Sequence, residues 1–369
     1  MKKVLFVTNI PSPYRVDFYN QLGKFVDLTV IFEATGAQDI RFDYRETFKN
    51  FTAIFLSEGN IDEKKLNSAI FQYLIPEKYD YIFLTNYSYR TELFGYLKCV
   101  FSKIPFILEI DGGKIPESEN FLKYQFKKFI LTKPCYYFSP SQSSDDFLAY
   151  YHVNKENIYR YSFTSLSEKD IRHQIVDEEE KQFLRKKLGF SPTKKTILFV
   201  GRIIPGKGVD VLIKAVQNLA DNVQCLIVGP SPDSEYKQYL LDLIGQDSRF
   251  HFIDFLQTSE LKQYYKLSDI FVLPTKSDVW GLVVNEAMSQ GLPVISTSAC
   301  VAAIELVSNG YNGYVIDRVD DWKAIFQKLS QVLQDDSLRV QLSQNALSTI
   351  KHYTIETMVK EHLKFMEEK

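Results

Sequence analysis

The chain has 369 residues, 45% hydrophobic and 24% charged, a composition that excludes collagen-like, disordered and disulfide-scaffold classes, and its length suits two domains. Forty-four Lys and Arg stand against 46 Asp and Glu, a formal net charge of -2, so whole-molecule attraction to nucleic acid is excluded and any anion binding is local. Cys99, Cys135, Cys225 and Cys300 form no C-x-x-C pair and no zinc-spaced cluster with histidine, which reads as four reduced thiols in a cytoplasmic protein.

In chain order, the opening MKKVLFVTNIPSPYR has an apolar run that Asn9, Pro11 and Pro13 end too early for a signal peptide or a membrane span. It reads as a first strand, 3–8. Further short apolar runs follow at 27–33, 52–57, 81–85, 105–110 and 135–140, separated by helical patterns. Continuous rather than alternating runs mean strands covered on both faces, the habit of parallel sheets with helical crossovers. Between the first two runs, PSPYRVDFYNQLGK places prolines just ahead of a helix from about Tyr14, with Arg15 in its first turn able to reach a ligand. Residues 121–133, FLKYQFKKFILTK, form a helix carrying Lys123, Lys127, Lys128 and Lys133 and no acid, interleaved with Phe121, Tyr124, Phe126 and Phe129. Two readings stay open for it: aromatics packed on the sheet, or a face docked on anionic lipid.

Residues 166–192 are charged, poor in apolar residues and closed by Pro192; they read as a linker after a first domain of 1–165. A second strand series follows at 196–201, 224–229, 250–255, 270–274, 293–298 and 313–316, predicting a second doubly wound domain over 193–350. The residues from 351 to 369 have the apolar spacing of one helix face and are expected to pack back on the N-terminal domain. Two such sheets place ligands outside their strand carboxyl ends, in a central cleft.

The first strand of this second series runs into GRIIPGKGVDVL. Gly201, Gly206 and Gly208 make a permissive loop ahead of a helix N-terminus, and Arg202 and Lys207 on that loop suit a diphosphate. After the strand at 270–274 comes TKSDVWGLVVNEAMSQG, in which Asp278 and Glu286 stand eight apart across Gly281, with a helix from about Leu282. Carboxylates of this kind accept hydrogen bonds from the vicinal hydroxyls of a ribose or a hexose. No D-x-D triplet occurs, so leaving-group charge is assigned to Arg202, Lys207 and the helix N-terminus and no metal is expected.

GRIIPGKG, SDVWGLVVNEAMSQGLPVISTS and IELVSNGYNGYVI resemble, in order and spacing, the C-terminal domain of the retaining family 4 glycosyltransferases of GT-B fold. The N-terminal NIPSPYRVDFYNQL is more loosely similar to the acceptor-side domain of bacterial enzymes that build surface polysaccharides. The resemblance implies an α/β protein of two Rossmann-like domains facing a cleft. It implies Arg202 and Lys207 on the donor diphosphate, Glu286 on the ribose and Asp278 on the sugar, with Gly201, Gly281 and Leu282 lining the donor. Transfer would proceed by same-face attack with a UDP-linked donor favoured, no cofactor, a lipid-linked or oligosaccharide acceptor, and peripheral membrane contact through 121–133. Asp278 stands one methylene shorter than the usual glutamate, and SACVAAIELV replaces a Gly-Gly turn. EIDGG replaces a histidine, so Asp111 or Glu109 takes that place and Gly112 and Gly113 supply the close turn, with Pro13, Tyr14 and Arg15 nearby on the acceptor side. A noncatalytic nucleotide-sugar-binding subunit and a nucleotide-sugar epimerase are the alternatives.

Overall fold

The computed structural model describes residues 1–37, 47–116 and 118–369. It divides into two compact units, Met1–Ser165 with Thr354–Lys369, and Leu166–Tyr353. The strands of the first unit are β1 (Lys3–Thr8), β2 (Asp27–Phe32), β3 (Thr52–Phe55), β4 (Tyr81–Leu84), β5 (Ile107–Glu109), β6 (Tyr136–Ser139) and β7 (Ile158–Arg160). Among the described residues they form one sheet in the order β3-β2-β1-β4-β5-β6-β7, parallel throughout, with Val4 of β1 opposite Leu28 on one side and Tyr81 on the other. Its helices are α1 (Pro13–Leu22), α2 (Arg90–Phe101), α3 (Phe121–Leu131), α4 (Gln142–Tyr150) and the last of the chain, α13 (Ile355–Glu368).

Successive residues of each strand feed two cores. Leu5, Val7, Ile82, Leu84, Leu108 and Tyr137 pack with Tyr96 and Cys99 of α2, Ile130 and Leu131 of α3 and Leu148 of α4. On the opposite face Phe6 stacks on Phe83 at 4.4 Å between centroids, and His362 of α13 stacks on Phe138 at 4.4 Å. This is the two-sided burial that the unbroken apolar runs demand. Strand β7 escapes such a reading because its residues are only partly buried or exposed; it is an edge strand held by backbone pairing to β6.

The second unit carries α5 (Glu178–Lys187), β8 (Lys195–Val200), α6 (Val209–Gln217), β9 (Val223–Val228), α7 (Ser234–Ile244), β10 (Phe250–Ile253) and α8 (Thr258–Leu267). It continues through β11 (Ile270–Leu273), α9 (Leu282–Ser289), β12 (Val294–Thr297), α10 (Val301–Leu306), β13 (Gly313–Ile316), α11 (Trp322–Gln334) and α12 (Asp336–Ile350). Its sheet is parallel in the order β10-β9-β8-β11-β12-β13. Chain order reverses between β8 and β11, which puts the loops after these two strands side by side.

Residues 166–192, expected as a linker, lie in the second unit and carry α5. Two of their charges turn inward. The fully buried Arg185 donates to Asp269 at 2.8 Å and to the Leu267 carbonyl at 2.9 Å, and Lys181 reaches the same carboxylate at 2.9 Å. Acids in the first turn and bases in the last also suit the helix dipole, so a strip that reads as solvated is a docked helix.

Candidate active site

At the reversal point of the second unit, Gly208 adopts φ 70° and heads α6; a Cβ there would lie 2.0 Å from the Pro274 carbonyl oxygen. Only glycine permits that approach. It lets the loop after β11 clasp the loop after β8: Thr275 Oγ1 and Lys276 N donate to the Gly206 carbonyl at 3.1 and 2.8 Å. Lys207 ends the single 3-10 turn Pro205–Lys207 and is ion-paired with Asp278, the two side chains 16% and 19% exposed. The Asp278 amide donates to Ala299 O at 3.0 Å, fixing the carboxylate's root. Gly281 has φ 105°, and its absent Cβ would fall 2.7 Å from Cys300 Sγ. Trp280 behind it donates Nε1 to Asn285 Oδ1 at 2.9 Å. Burial, with the Asp278 charge adding to it, pushes the Cys300 thiol up to about 12.

Leu282 opens α9, and on its second turn the half-buried Glu286 accepts a 2.9 Å bond from Tyr265 Oη. Burial and then the Glu286 charge hold the Tyr265 phenol well above its ordinary range, so it donates and does not ionise. Gly201 follows β8 with its amide on Val228 O at 3.0 Å. Arg202 is exposed, and among the described residues no ion pair or side-chain hydrogen bond engages its guanidinium. In place of the Gly-Gly turn, the stretch around Ala302 forms α10, with Ala302 N bonded to the Trp280 carbonyl at 2.9 Å. Two side chains escape the sequence reading. Lys276, two residues beyond its strand and so findable by position, lies 3.0 Å from Asp320 and 3.9 Å from Asp210. Burial works to lower its pKa, but those two acids win and raise it. Tyr265 gives no signal, being one aromatic in a helical pattern.

The first unit gathers its polar groups at the same end of its own sheet. Arg15, expected as a residue reaching out of its helix, is instead 2% exposed and ion-paired with both Glu109 and Asp111; a buried guanidinium needs such partners. Tyr14 Oη donates to Asp111 Oδ2 at 3.1 Å, while Pro13 opens α1. Glu109 is wholly buried, and His362 Nε2 stands 3.1 Å from its second oxygen, with Nδ1 2.7 Å from Met358 O. Burial would raise the Glu109 pKa, but Arg15 and His362 together bring it below the ordinary value. For Asp111 burial prevails over Arg15, and its pKa is raised. Glu109 is therefore the internal anion, and Asp111, its side chain 31% exposed, faces outward as the better proton acceptor of the two. Gly112 and Gly113 follow it, and a Cβ on Gly113 would press on the Phe147 ring at 2.9 Å. Among the described residues no three His, Cys, Asp or Glu converge as a metal-ligand set, and no helix is long and apolar enough to cross a membrane.

The second unit's arrangement, a cation at a helix N-terminus beside a loop carboxylate and a tyrosine-held glutamate, suits a nucleoside diphosphate carrying a sugar. Residues 180–349 match the family described as Glycosyl transferases group 1. A D-inositol 3-phosphate glycosyltransferase of Corynebacterium efficiens is 32% identical over 182 residues, 46% of this chain and 42% of that protein. The capsular polysaccharide biosynthesis glycosyltransferase CapM of Staphylococcus aureus is 28% identical over 171 residues, 46% of this chain and 44% of its own. The chain thus spans less than half the length of these curated relatives. Anabaena Alr3699/HepE, solved in complex with UDP and glucose, superposes with a TM-score of 0.78 over 100% of both chains at 17% identity, a likeness of fold. Residues 180–349 are thus similar to the group 1 glycosyl transferases, and the chain has the two Rossmann-like, parallel-sheet domains of the GT-B fold.

Proposed function

We propose that the protein is a retaining, metal-independent glycosyltransferase that moves a hexosyl unit from a nucleoside diphosphate sugar, UDP-linked by preference, to a lipid-linked glycan in surface polysaccharide synthesis. The observation that carries this reading is Lys207, held at the N-terminus of α6 against Asp278, with Arg202 exposed on the same loop. Lys207 and Arg202 take up the charge of the departing diphosphate. Glu286 binds the ribose hydroxyls and Asp278 those of the sugar. The acceptor hydroxyl attacks on the face the diphosphate leaves, its proton passing to a phosphate oxygen. UDP in the HepE structure and the polysaccharide role in CapM's name support the donor and the pathway class.

The membrane part of the reading rests on α3. Phe121, Leu122, Phe126 and Phe129 are 70%, 76%, 48% and 45% exposed, a poor arrangement for a helix that only packs on its sheet. Lys123 is exposed beside them, and Lys127 pairs with Glu119 at 2.7 Å, so the helix is less purely basic than its sequence reads. Aromatics inserted at a lipid interface with lysines among the headgroups fit this face. In a panel of UDP-, GDP- and ADP-sugars the protein should release nucleoside diphosphate from one donor, faster with acceptor and unaffected by EDTA. Binding without turnover would instead make it a noncatalytic subunit.

A further inference from the structure

We infer that α2 and α3 form one two-helix surface that docks the first unit flat on an anionic lipid bilayer. This deepens the membrane part of the reading above, rests on it, and adds α2 to it. The two helices are the crossovers from β4 to β5 and from β5 to β6, neighbours in the sheet, and they share one core. Tyr96 Oη of α2 donates to the Ile130 carbonyl of α3, so the helices lie side by side. On α2 the buried Glu92, Tyr96 and Cys99 mark the side turned to the sheet. At about 3.6 residues per turn, Phe94, Leu97 and Phe101 fall on the opposite side. Phe94 is 43% and Phe101 75% exposed, with Leu97 half-buried. Ile130 and Leu131 of α3 face the same core, so its outward stripe of Phe121, Leu122, Phe126 and Phe129 looks the same way. Adjoining apolar stripes on the surface of a soluble domain mark a docking face.

Charge decides what docks. Arg90, Lys103, Lys123 and Lys133 are exposed along these helices and just past their C-terminal ends, and Lys98 and Lys128 are half-buried. Glu92, the one acid on either helix, is buried. Glu119, just ahead of α3, is paired with Lys127. Lys133 Nζ stands over the Phe129 ring at 4.6 Å, an ammonium at the edge of the apolar stripe. Such side chains lay their stems along apolar surface and hold their heads at the level of lipid phosphates. The aromatic rings between them enter the acyl boundary. A second copy of the chain fits worse, because a two-fold contact would set these cations against one another. As both helices lie in one layer against the sheet, they meet the bilayer together, and the sheet is held off it by a helix layer roughly 10–12 Å thick.

The test is co-sedimentation of the full chain with vesicles of phosphatidylcholine alone and of equimolar phosphatidylcholine and phosphatidylglycerol. The anionic vesicles should bind it roughly tenfold or more tightly than the neutral ones. Phe94→Glu with Phe101→Glu should cut that binding roughly tenfold or more, and so should Lys103→Glu with Lys123→Glu and Lys133→Glu. Lys360→Glu with Lys364→Glu, on α13 and so on the opposite face of the sheet, should leave it unchanged. All of these side chains are exposed, so circular dichroism should stay that of wild type. Phe94→Trp and Phe126→Trp, each read against the native Trp280 and Trp322, should be quenched alike by phosphatidylcholine brominated on its acyl chains. No preference for the anionic vesicles, an equal loss in the α13 variant, or quenching of Phe126→Trp alone would overturn the two-helix surface. The last result would leave the α3 contact standing. Release of nucleoside diphosphate from a soluble donor, measured without vesicles, reports on transfer alone, so the readings can fail separately.

Discussion

Asp278→Asn separates the two tasks that the Lys207 ion pair combines. Lys207 is ion-paired with Asp278, so a diphosphate bound as proposed must share that cation with a like-charged neighbour. Exposures of 16% and 19% put the pair between a solvent pair, worth up to about 1 kcal/mol, and the roughly 4 kcal/mol of unit charges 4 Å apart at an effective dielectric of 20. Taking about 1 kcal/mol, the variant should bind free UDP about fivefold more tightly than wild type. Its turnover of a UDP-sugar should fall by about ten- to a hundredfold, since a hydrogen bond from a sugar hydroxyl to a charged group is worth about 1.5–3 kcal/mol. Titration calorimetry at about 50 and 500 mM salt reads both ends, because the gain for UDP should shrink as salt screens the pair. Weaker or unchanged UDP binding in Asp278→Asn would refute the view that the carboxylate competes for Lys207.

Glu286→Gln should weaken UDP binding roughly tenfold by calorimetry, because an amide offers one acceptor oxygen to two ribose hydroxyls and Tyr265 already claims an acceptor. Gly208→Ala should unfold the donor loop or abolish UDP binding, since its Cβ would meet the Pro274 carbonyl at 2.0 Å with φ at 70°; circular dichroism alongside calorimetry distinguishes the two. Asp269→Asn should destabilise the second unit by about 3–5 kcal/mol in urea, as it removes the buried carboxylate that Arg185 and Lys181 share. Burial would raise the Asp269 pKa, but Lys181 and Arg185 lower it below the ordinary value. Its contribution is therefore complete above the unfolded pKa of about 3.9 and lost as pH falls through the lower folded one, so mutant and wild-type stabilities should converge in strong acid.

The two parallel sheets were legible because burial on both faces leaves an apolar run that no turn residue interrupts. The meeting of the loops after β8 and β11 was legible because Gly208, Lys207 and Asp278 lie close in chain order to the strand ends that carry them. What the sequence hid was pairing across distance. Arg15 reads as reaching from its helix toward a ligand, and only the fold brings Glu109 and Asp111 to it and, from the far end of the chain, His362 to Glu109. In the same way, α5 reads as linker because composition reports charge but not the burial of its opposite, here Asp269. Tyr265 is an ordinary member of its helix until Glu286 is known to be its neighbour.

The first unit encloses the second in chain order: the path enters the second at Leu166, leaves after Tyr353, and only then supplies α13 to the first. During synthesis the second unit can be complete while the earlier one still shows the aromatic face of Phe6, Phe83 and Phe138, which waits for His362 and Phe365. A premature stop between the two would yield a finished second unit attached to an open, sticky sheet, a substrate for chaperones and proteases. For the gene the consequence is an asymmetry: residues 166–353 can be cut out as one continuous segment, whereas the first unit survives excision only if Ser165 is rejoined to Thr354 by a new link.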